Sequence, residues 1–241
     1  MAGSIKTEAV VLRTMRYGEA DRILHLFTPD RGRVSAIAKG VRRAKSRFGG
    51  RLEPFFRLNL VLYQGRSDLL TVTSAETVAP YPRLREDGRA IDTASKACDA
   101  VSRLFETSDP NPAVFHLLVN ELALIDSDTA RHATQANQLA FRLKLLLAAG
   151  LAPQLGGCAL CGDREHLSGF SGAAGGTVCG ACEGAAFPLT EEAHAFMVDA
   201  LGKPLAEAPA ASDLALRQAE RAILETAEHH AHLRLRPSLS R

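Results

Sequence analysis

The sequence predicts an α+β protein in which a small five-stranded β-barrel precedes an α-helical region that carries a four-cysteine insertion. Short β-type segments separated by turn formers fill the first eighty residues. After Pro80 and Pro82 the apolar period changes from two to about 3.6 residues, the period of a helix. Two Cys-x-x-Cys pairs then interrupt the helical pattern, which resumes after them.

Five strands are predicted before residue 80, because each segment is rich in aliphatic and β-branched residues and is bounded by turn formers such as Gly32, Gly40 and Gly65. Five short strands with one long basic connection fit a Greek-key OB-fold barrel, and an SH3-like barrel is the alternative that strand number leaves open. The strands are predicted at Glu8–Arg13, Ile23–Phe27, Val34–Ala38, Phe55–Tyr63 and Leu69–Val78.

Helices are predicted from residue 91 onward, where apolar residues including Cys98 recur on one helical face. On that face Cys98 is expected to be a small buried hydrophobe rather than a nucleophile. We therefore predict an OB-fold nucleic-acid-binding domain at residues 1–80 and a helical domain at residues 81–241. The helices are predicted at residues 91–105, 114–124, 131–149, 190–201 and 212–232.

The cysteine-rich insertion, at about residues 156–187, has the spacing of a zinc site. Two Cys-x-x-Cys pairs are separated by 17 residues, and glycines surround both pairs. Four protein thiolates complete a tetrahedral shell, so the Zn²⁺ is predicted to be structural and not catalytic. The predicted ligands are Cys158, Cys161, Cys179 and Cys182.

Other uses of these cysteines are less compatible with the sequence. Two disulfides fit a secreted protein, but the charged first residues lack the apolar core of a secretory signal. The chain also has no apolar run of 18 residues, so we expect a cytoplasmic protein without a membrane span. A thioredoxin-like redox pair needs a neighbouring βαβ unit, which the pattern does not predict. An iron–sulfur cluster stays open as the alternative metal group.

The net charge of +2 hides a strong asymmetry along the chain. Residues 1–80 hold fourteen Lys and Arg against seven Asp and Glu, a net charge of +7. Residues 81–150 carry −1 and residues 151–241 carry −4. A basic first domain predicts a polyanionic partner, with a chance excess of surface charge as the alternative.

Eight basic residues between Arg31 and Leu52, with no acidic residue among them, concentrate that charge. The run is predicted to be a mobile loop that tracks phosphates, with Tyr17 or Phe48 available to stack on bases. A solvated loop without a partner is the alternative. The basic residues are Arg31, Arg33, Lys39, Arg42, Arg43, Lys45, Arg47 and Arg51.

No catalytic motif is present. The sequence contains neither a phosphate-binding G-x-x-x-x-G-K-[ST] loop, nor H-E-x-x-H, nor the deaminase pattern, and its carboxylates are scattered. We therefore expect a protein that is not an enzyme.

Several segments together resemble the RecO family of bacterial recombination mediators. The resemblance is most specific in the first 65 residues and also includes the position of the cysteine segment. The segments are Thr7–Arg13, Tyr17–Leu24, Leu26–Thr28, Gly32–Arg33, Ala38–Arg47, Leu52–Phe55 and Phe141–Leu146.

The resemblance implies a non-enzymatic protein of DNA repair and recombination. Such proteins bind single- and double-stranded DNA, anneal complementary strands without ATP, and act with RecR to load RecA onto DNA coated by single-strand-binding protein (SSB). It further implies binding to the acidic SSB C-terminal tail, RecF as an additional partner, and nucleoid association. Arg142 and Lys144 are offered as the tail site. The implied DNA contacts are Lys39, Arg42, Arg43, Lys45 and Arg47, and Arg51 of the same basic run completes the predicted set.

Two other functions stay open from the residues themselves. One is an RNA-binding OB-fold protein of translation or tRNA metabolism. The other is a zinc-stabilised scaffold whose basic loop binds an acidic protein.

Overall fold

A computed structural model describes residues 3–65, 67, 69–182 and 186–238 of the chain. Residues 183–185, which belong to the predicted cysteine segment, lie outside the described residues. The chain divides into two compact units, residues 1–129 and residues 130–241. The assignment of a nucleic-acid-binding domain to residues 1–80 and of a helical domain to residues 81–241 stays a prediction.

The first unit contains a closed barrel whose strand order is β1-β2-β3-β5-β4. All neighbouring pairs are antiparallel except β3 and β5, which are parallel through Ala36–Leu70 and Ile37–Thr71. This is the Greek-key topology of an OB-fold, so the predicted fold class is confirmed. The strands are β1 (Gly3–Tyr17), β2 (Asp21–Thr28), β3 (Gly32–Ala38), β4 (Arg57–Gln64) and β5 (Leu70–Ala79).

Strand β1 is long because it serves two partners. Its first half pairs with β4 and its second half pairs with β2, and a bulge between Val11 and Arg13 lies within the pairing with β2. The extra residue of a bulge reverses the alternation of faces. Ala9 and Val11 therefore point into the barrel core, whereas Met15 and Tyr17 point outward.

Two long helices complete the first unit. Asp87 caps α1 (Gly88–Leu104) by accepting from the amides of Arg89 and Ala90, and Asn111 caps α2 (Pro112–Ser127). Cys98 is buried on the inner face of α1, and burial raises the pKa of its thiol. The expectation of a small buried hydrophobe at this position is confirmed.

The second unit is built from three longer helices and a small sheet. The helix predicted at residues 131–149 is wrong at its start. A short helix α3 (Thr129–His132) ends first, and Thr134 then caps the amide of Asn137 in a new helix. The remaining elements are α4 (Gln135–Ala148), β6 (Leu167–Ser171), β7 (Gly176–Cys179), β8 (Phe187–Pro188), α5 (Glu191–Gly202) and α6 (Asp213–Ala231). Among the described residues, no helix is both long and apolar enough to cross a bilayer.

Candidate nucleic-acid interface and metal centre

The basic loop, residues 39–51, follows β3 and is packed onto the barrel. Successive turns, closed by bonds such as Ser46 N–H to Arg43 C=O at 3.0 Å, shape its backbone. Val41, Phe48 and Leu52 are buried in the barrel core, and Phe48 is only 2% exposed. The expectation of a mobile loop is therefore not supported. Phe48 as a base-stacking residue is wrong, because its ring faces the core.

Three arginines of the loop also hold its shape. The guanidinium of Arg42 donates to Glu19 C=O at 3.1 Å, and that of Arg47 donates to Val72 C=O at 3.4 Å. Arg51 donates to Phe48 C=O at 3.3 Å. All three side chains stay exposed, so each guanidinium keeps further N–H donors that can face a ligand. They are both structural elements and candidate phosphate contacts.

The other three predicted contacts, Lys39, Arg43 and Lys45, are exposed. Their charged groups form no hydrogen bond or ion pair with the part of the chain that the structure describes. The loop therefore presents six cations outward while its apolar side chains face inward. Such a surface can bind a polyanion without first breaking internal ion pairs.

Of the surface of β1 and β2 beside this loop, sequence reasoning named only Tyr17, whose side chain is exposed at the end of β1. Arg13, Met15 and His25 lie there, on the outer face of the barrel. Simple alternation along β1 from Ala9 and Val11 would place Met15 in the core, and only the bulge reverses that assignment. No local signal in the sequence reports the bulge.

The four predicted metal ligands come together in the second unit. Strands β6 and β7 form a hairpin, which returns the chain so that the second Cys-x-x-Cys pair lies beside the first. Thr177 of β7 joins them further, because its C=O accepts from Ala159 N–H at 2.8 Å and its hydroxyl donates to Gly157 C=O at 2.9 Å. The sulfurs of Cys158, Cys161, Cys179 and Cys182 all lie within 4.8 Å of one another.

These distances fit a single tetrahedral ion. Four thiolates at about 2.3 Å from Zn²⁺ lie about 3.8 Å apart, and the Sγ atoms of Cys161 and Cys179 are 3.7 Å apart. A disulfide would need about 2.0 Å, and all four cysteines are free. An iron–sulfur cluster would separate the sulfurs further, because several iron atoms lie between them. The donor set therefore favours one soft divalent ion such as Zn²⁺.

Backbone amides favour the thiolate of Cys158, whereas the neighbouring cysteine side chains raise the pKa of Cys161 and Cys182. Amide groups of Cys161 and Cys179 donate to the sulfur of Cys158 and lower its pKa to about 6. Cys158 and Cys179 are buried, whereas Cys161 is exposed and Cys182 is partly exposed. The cluster is thus partly exposed, and its four sulfurs are close enough together to hold a metal ion as a crosslink between the two pairs.

The proposed tail-binding residues lie in the same unit but differ in access. Arg142 is 2% exposed and lies 3.7 Å from the carboxylate of Glu220. A buried guanidinium offers no surface to an acidic peptide, so the structure does not support Arg142 in that role. Lys144 is partly buried, donates to Leu201 C=O at 3.2 Å, and has its pKa lowered by burial.

Two protein-family models match the chain. The model described as "Recombination protein O N terminal" matches residues 1–81, and "Recombination protein O C terminal" matches residues 85–238. The chain belongs to the recombination protein O family. The family resemblance predicted from the sequence is therefore confirmed, with two family models that together cover almost the whole chain.

Similar proteins carry the name "DNA repair protein RecO". The one from Rubrobacter xylanophilus is 37% identical over 225 residues, which cover 90% of this chain and 89% of the relative. The one from Anaeromyxobacter dehalogenans is 37% identical over 245 residues, covering 96% and 93% of the two chains. The one from Bifidobacterium adolescentis is 43% identical over 181 residues, covering 72% of each. These RecO-family relationships place the protein in DNA repair.

Proposed function

We propose that this RecO-family protein is a recombination mediator that binds single- and double-stranded DNA and anneals complementary strands without ATP. With RecR it would help RecA to load onto SSB-coated DNA. The observation that carries the proposal is the basic loop, whose six exposed cations extend from an OB-fold barrel. The loop is held in place by buried apolar residues and by hydrogen bonds to backbone carbonyls.

A charged surface of this kind explains annealing in physical terms. Two complementary strands repel one another through their phosphates, and cations that neutralise both strands lower that repulsion. No nucleotide is needed for such a step, which agrees with the absence of a phosphate-binding loop motif from the sequence. Annealing by charge neutralisation must weaken as salt rises, because the counterions released on binding then compete.

The proposal assigns DNA binding to residues 1–80 and the metal to the helical domain, residues 81–241. The four cysteines would hold Zn²⁺ as a structural ion, and no catalytic step is assigned to the protein. RecR, RecF and the SSB tail are the proposed protein partners, and nucleoid association in the cytoplasm follows from binding DNA. Membership of the RecO family does not favour the alternative, an RNA-binding OB-fold protein of translation or tRNA metabolism.

The test is annealing of two complementary oligonucleotides coated with SSB, without nucleotide, over a salt series. Acceleration that falls with salt is expected. If about five cations contact phosphate, log affinity for a single strand should fall against log salt with a slope near −3.5. The variant Arg42→Ala, Arg43→Ala, Lys45→Ala should lose DNA affinity and annealing while keeping its metal content.

A matched control removes the same charge elsewhere. Lys203, Arg217 and Arg234 are exposed cations of the second unit, and replacing all three with alanine changes the net charge equally. This control should anneal DNA as the unaltered protein does. Equal loss in both triple variants would show that only net charge matters, and unchanged annealing in the loop variant would place the DNA site elsewhere. Structured RNA that competes better than single-stranded DNA would favour the translation alternative.

A further inference from the structure

An exposed apolar and aromatic surface lies on the outside of the barrel. Met15 and Tyr17 are 47% and 53% exposed, although each carries a large apolar side chain. They are two residues apart on β1, so both side chains point to the same face of the sheet. Adjacent exposed apolar side chains that are surrounded by charge are a common feature of binding sites.

Strand β2 extends this surface. Met15 pairs with Ile23 and Tyr17 pairs with Asp21, and directly paired residues share one face of a sheet. The ring of His25 joins the same face, because its Nε2 lies 3.4 Å from the Met15 sulfur. We call Met15, Tyr17, Ile23 and His25 the β1–β2 platform.

The surroundings of His25 favour its neutral form. Burial and the neighbouring cations Arg13 and Arg33 lower the pKa of this histidine. Its Nδ1 lies 3.2 Å from the hydroxyl of Ser35, and a neutral ring can accept there while Nε2–H faces the Met15 sulfur. The face therefore offers an imidazole ring, a thioether and a phenol, and Arg13 and Asp21 lie beside them on the same face.

The basic loop is tied directly to the end of this platform. Gly40 N–H donates to the carboxylate of Asp21 at 2.7 Å, and Arg42 N–H donates to Ala20 C=O at 2.9 Å. The guanidinium of Arg42 reaches Glu19 C=O in the same turn, which directly follows Tyr17. The exposed cations that begin the loop thus lie next to the aromatic end of the platform.

A single strand of nucleic acid has the matching chemistry, because it carries flat uncharged bases along an anionic backbone. We infer that the β1–β2 platform stacks unpaired bases of a DNA single strand whose phosphates lie on the basic loop. This inference rests on the proposed function and adds a base contact to its phosphate contacts. Bases within a duplex are already stacked on one another and cannot reach the platform. Tyr17 should therefore contribute to single-strand binding and not to duplex binding.

The experiment compares two tyrosines of similar exposure. Tyr17→Ala removes the outermost ring of the platform, and Tyr63→Ala removes a 45% exposed ring on β4, outside the platform. The probes are an oligothymidylate of about 16 nucleotides, near the upper site size of one OB-fold, and a duplex of equal length. Affinity for each is measured over a salt series.

Tyr17→Ala should weaken oligothymidylate binding roughly 5- to 150-fold, the range expected when one stacked base is lost. Duplex affinity and the salt slope should not change, because the phosphate contacts remain. Tyr63→Ala should leave both affinities unchanged, and Tyr17→Phe should restore single-strand binding. In the unaltered protein, an oligonucleotide that carries 5-iododeoxyuridine should crosslink under ultraviolet light to Met15, Tyr17 or His25 and not to Tyr63.

Failure of the platform can be told apart from failure of the proposed function. If the unaltered protein shows no salt-dependent DNA binding, both fall. If it binds DNA with the expected slope, two results overturn the platform alone. One is a loss in Tyr17→Ala that is equal for single strand and duplex, and the other is crosslinking confined to residues outside the platform. Crosslinking needs no variant, so it decides the question even if Tyr17→Ala folds poorly.

Discussion

Replacing Phe48 with alanine and with leucine tests whether this aromatic residue anchors the basic loop or touches DNA. Phe48 is 2% exposed and packs in the barrel core near Val41 and Leu52, with the Arg47 guanidinium 4.8 Å above its ring. Truncation of a buried phenylalanine to alanine costs about 3 to 5 kcal/mol. The lower end applies here, because Phe48 lies on a connection that can partly collapse into the vacated space.

A cost of about 3 kcal/mol raises the open population of the loop and its barrel contacts roughly a hundredfold. Amide hydrogen exchange, followed by mass spectrometry on peptides from β3 and the loop, reads that change locally. Peptides from α6, in the other unit, serve as the internal control. Phe48→Leu keeps most of the apolar volume, so it should cost less than about 1.5 kcal/mol.

DNA binding separates the two roles of Phe48. If the ring is an anchor, Phe48→Leu should bind an oligothymidylate with nearly the affinity of the unaltered protein. If the ring stacks on a base, leucine should weaken binding by roughly fivefold or more with little change in exchange. That second outcome, or unchanged exchange in Phe48→Ala, would refute the assignment of Phe48 to the core.

Two further predictions concern the second unit. Removing the metal by chelation or by Cys158→Ser should make residues 156–182 sensitive to protease, because zinc binding of about 10 to 16 kcal/mol rivals the ~5 to 15 kcal/mol stability of a domain. The salt slope of DNA binding should stay constant. Metal analysis and limited proteolysis check this, and a metal-free protein that resists protease would contradict a structural ion. The hydroxyl and amide of Ser212 donate to the carboxylate of Glu192 and lower its pKa. This contact therefore stabilises the fold above the unfolded pKa of the carboxyl, and the stabilisation is lost as pH falls through the folded pKa. In denaturant titrations, the stability difference between the unaltered protein and Glu192→Gln should be largest at neutral pH and should vanish in acid, and a difference independent of pH would refute it.

Local patterns account for the features that were predicted correctly. Strand segments are recognised by alternation within five to eight residues. Two helices were predicted to begin at Thr190 and Ser212, and these residues are the N-caps of α5 and α6. The spacing within each Cys-x-x-Cys pair is set by one turn of backbone. Each of these signals lies within a short stretch of chain, so each can be recognised from the sequence alone.

The errors share a different cause. The sequence of the basic loop predicts a polar, mobile segment, yet Val41, Phe48 and Leu52, at irregular spacing, are buried in the barrel core. Arg142 is a second case. As a cation on a predicted helix it was expected to be exposed, but it is buried near Glu220. In both cases the partner is distant in sequence, so neither period nor composition identifies which side faces inward.

The sequence by itself determined the order of the five barrel strands and of the longer helices, the basic character of the first domain, and the four thiolates. These properties depend on composition and on separations of a few residues. Only the tertiary structure decided which loop residues face the core, how the β6–β7 hairpin brings two distant cysteine pairs within 4.8 Å, and that the β1 bulge turns Met15 outward beside Tyr17. These features depend on strand register and on contacts between distant segments, because a shift of one residue reverses every side chain that follows it.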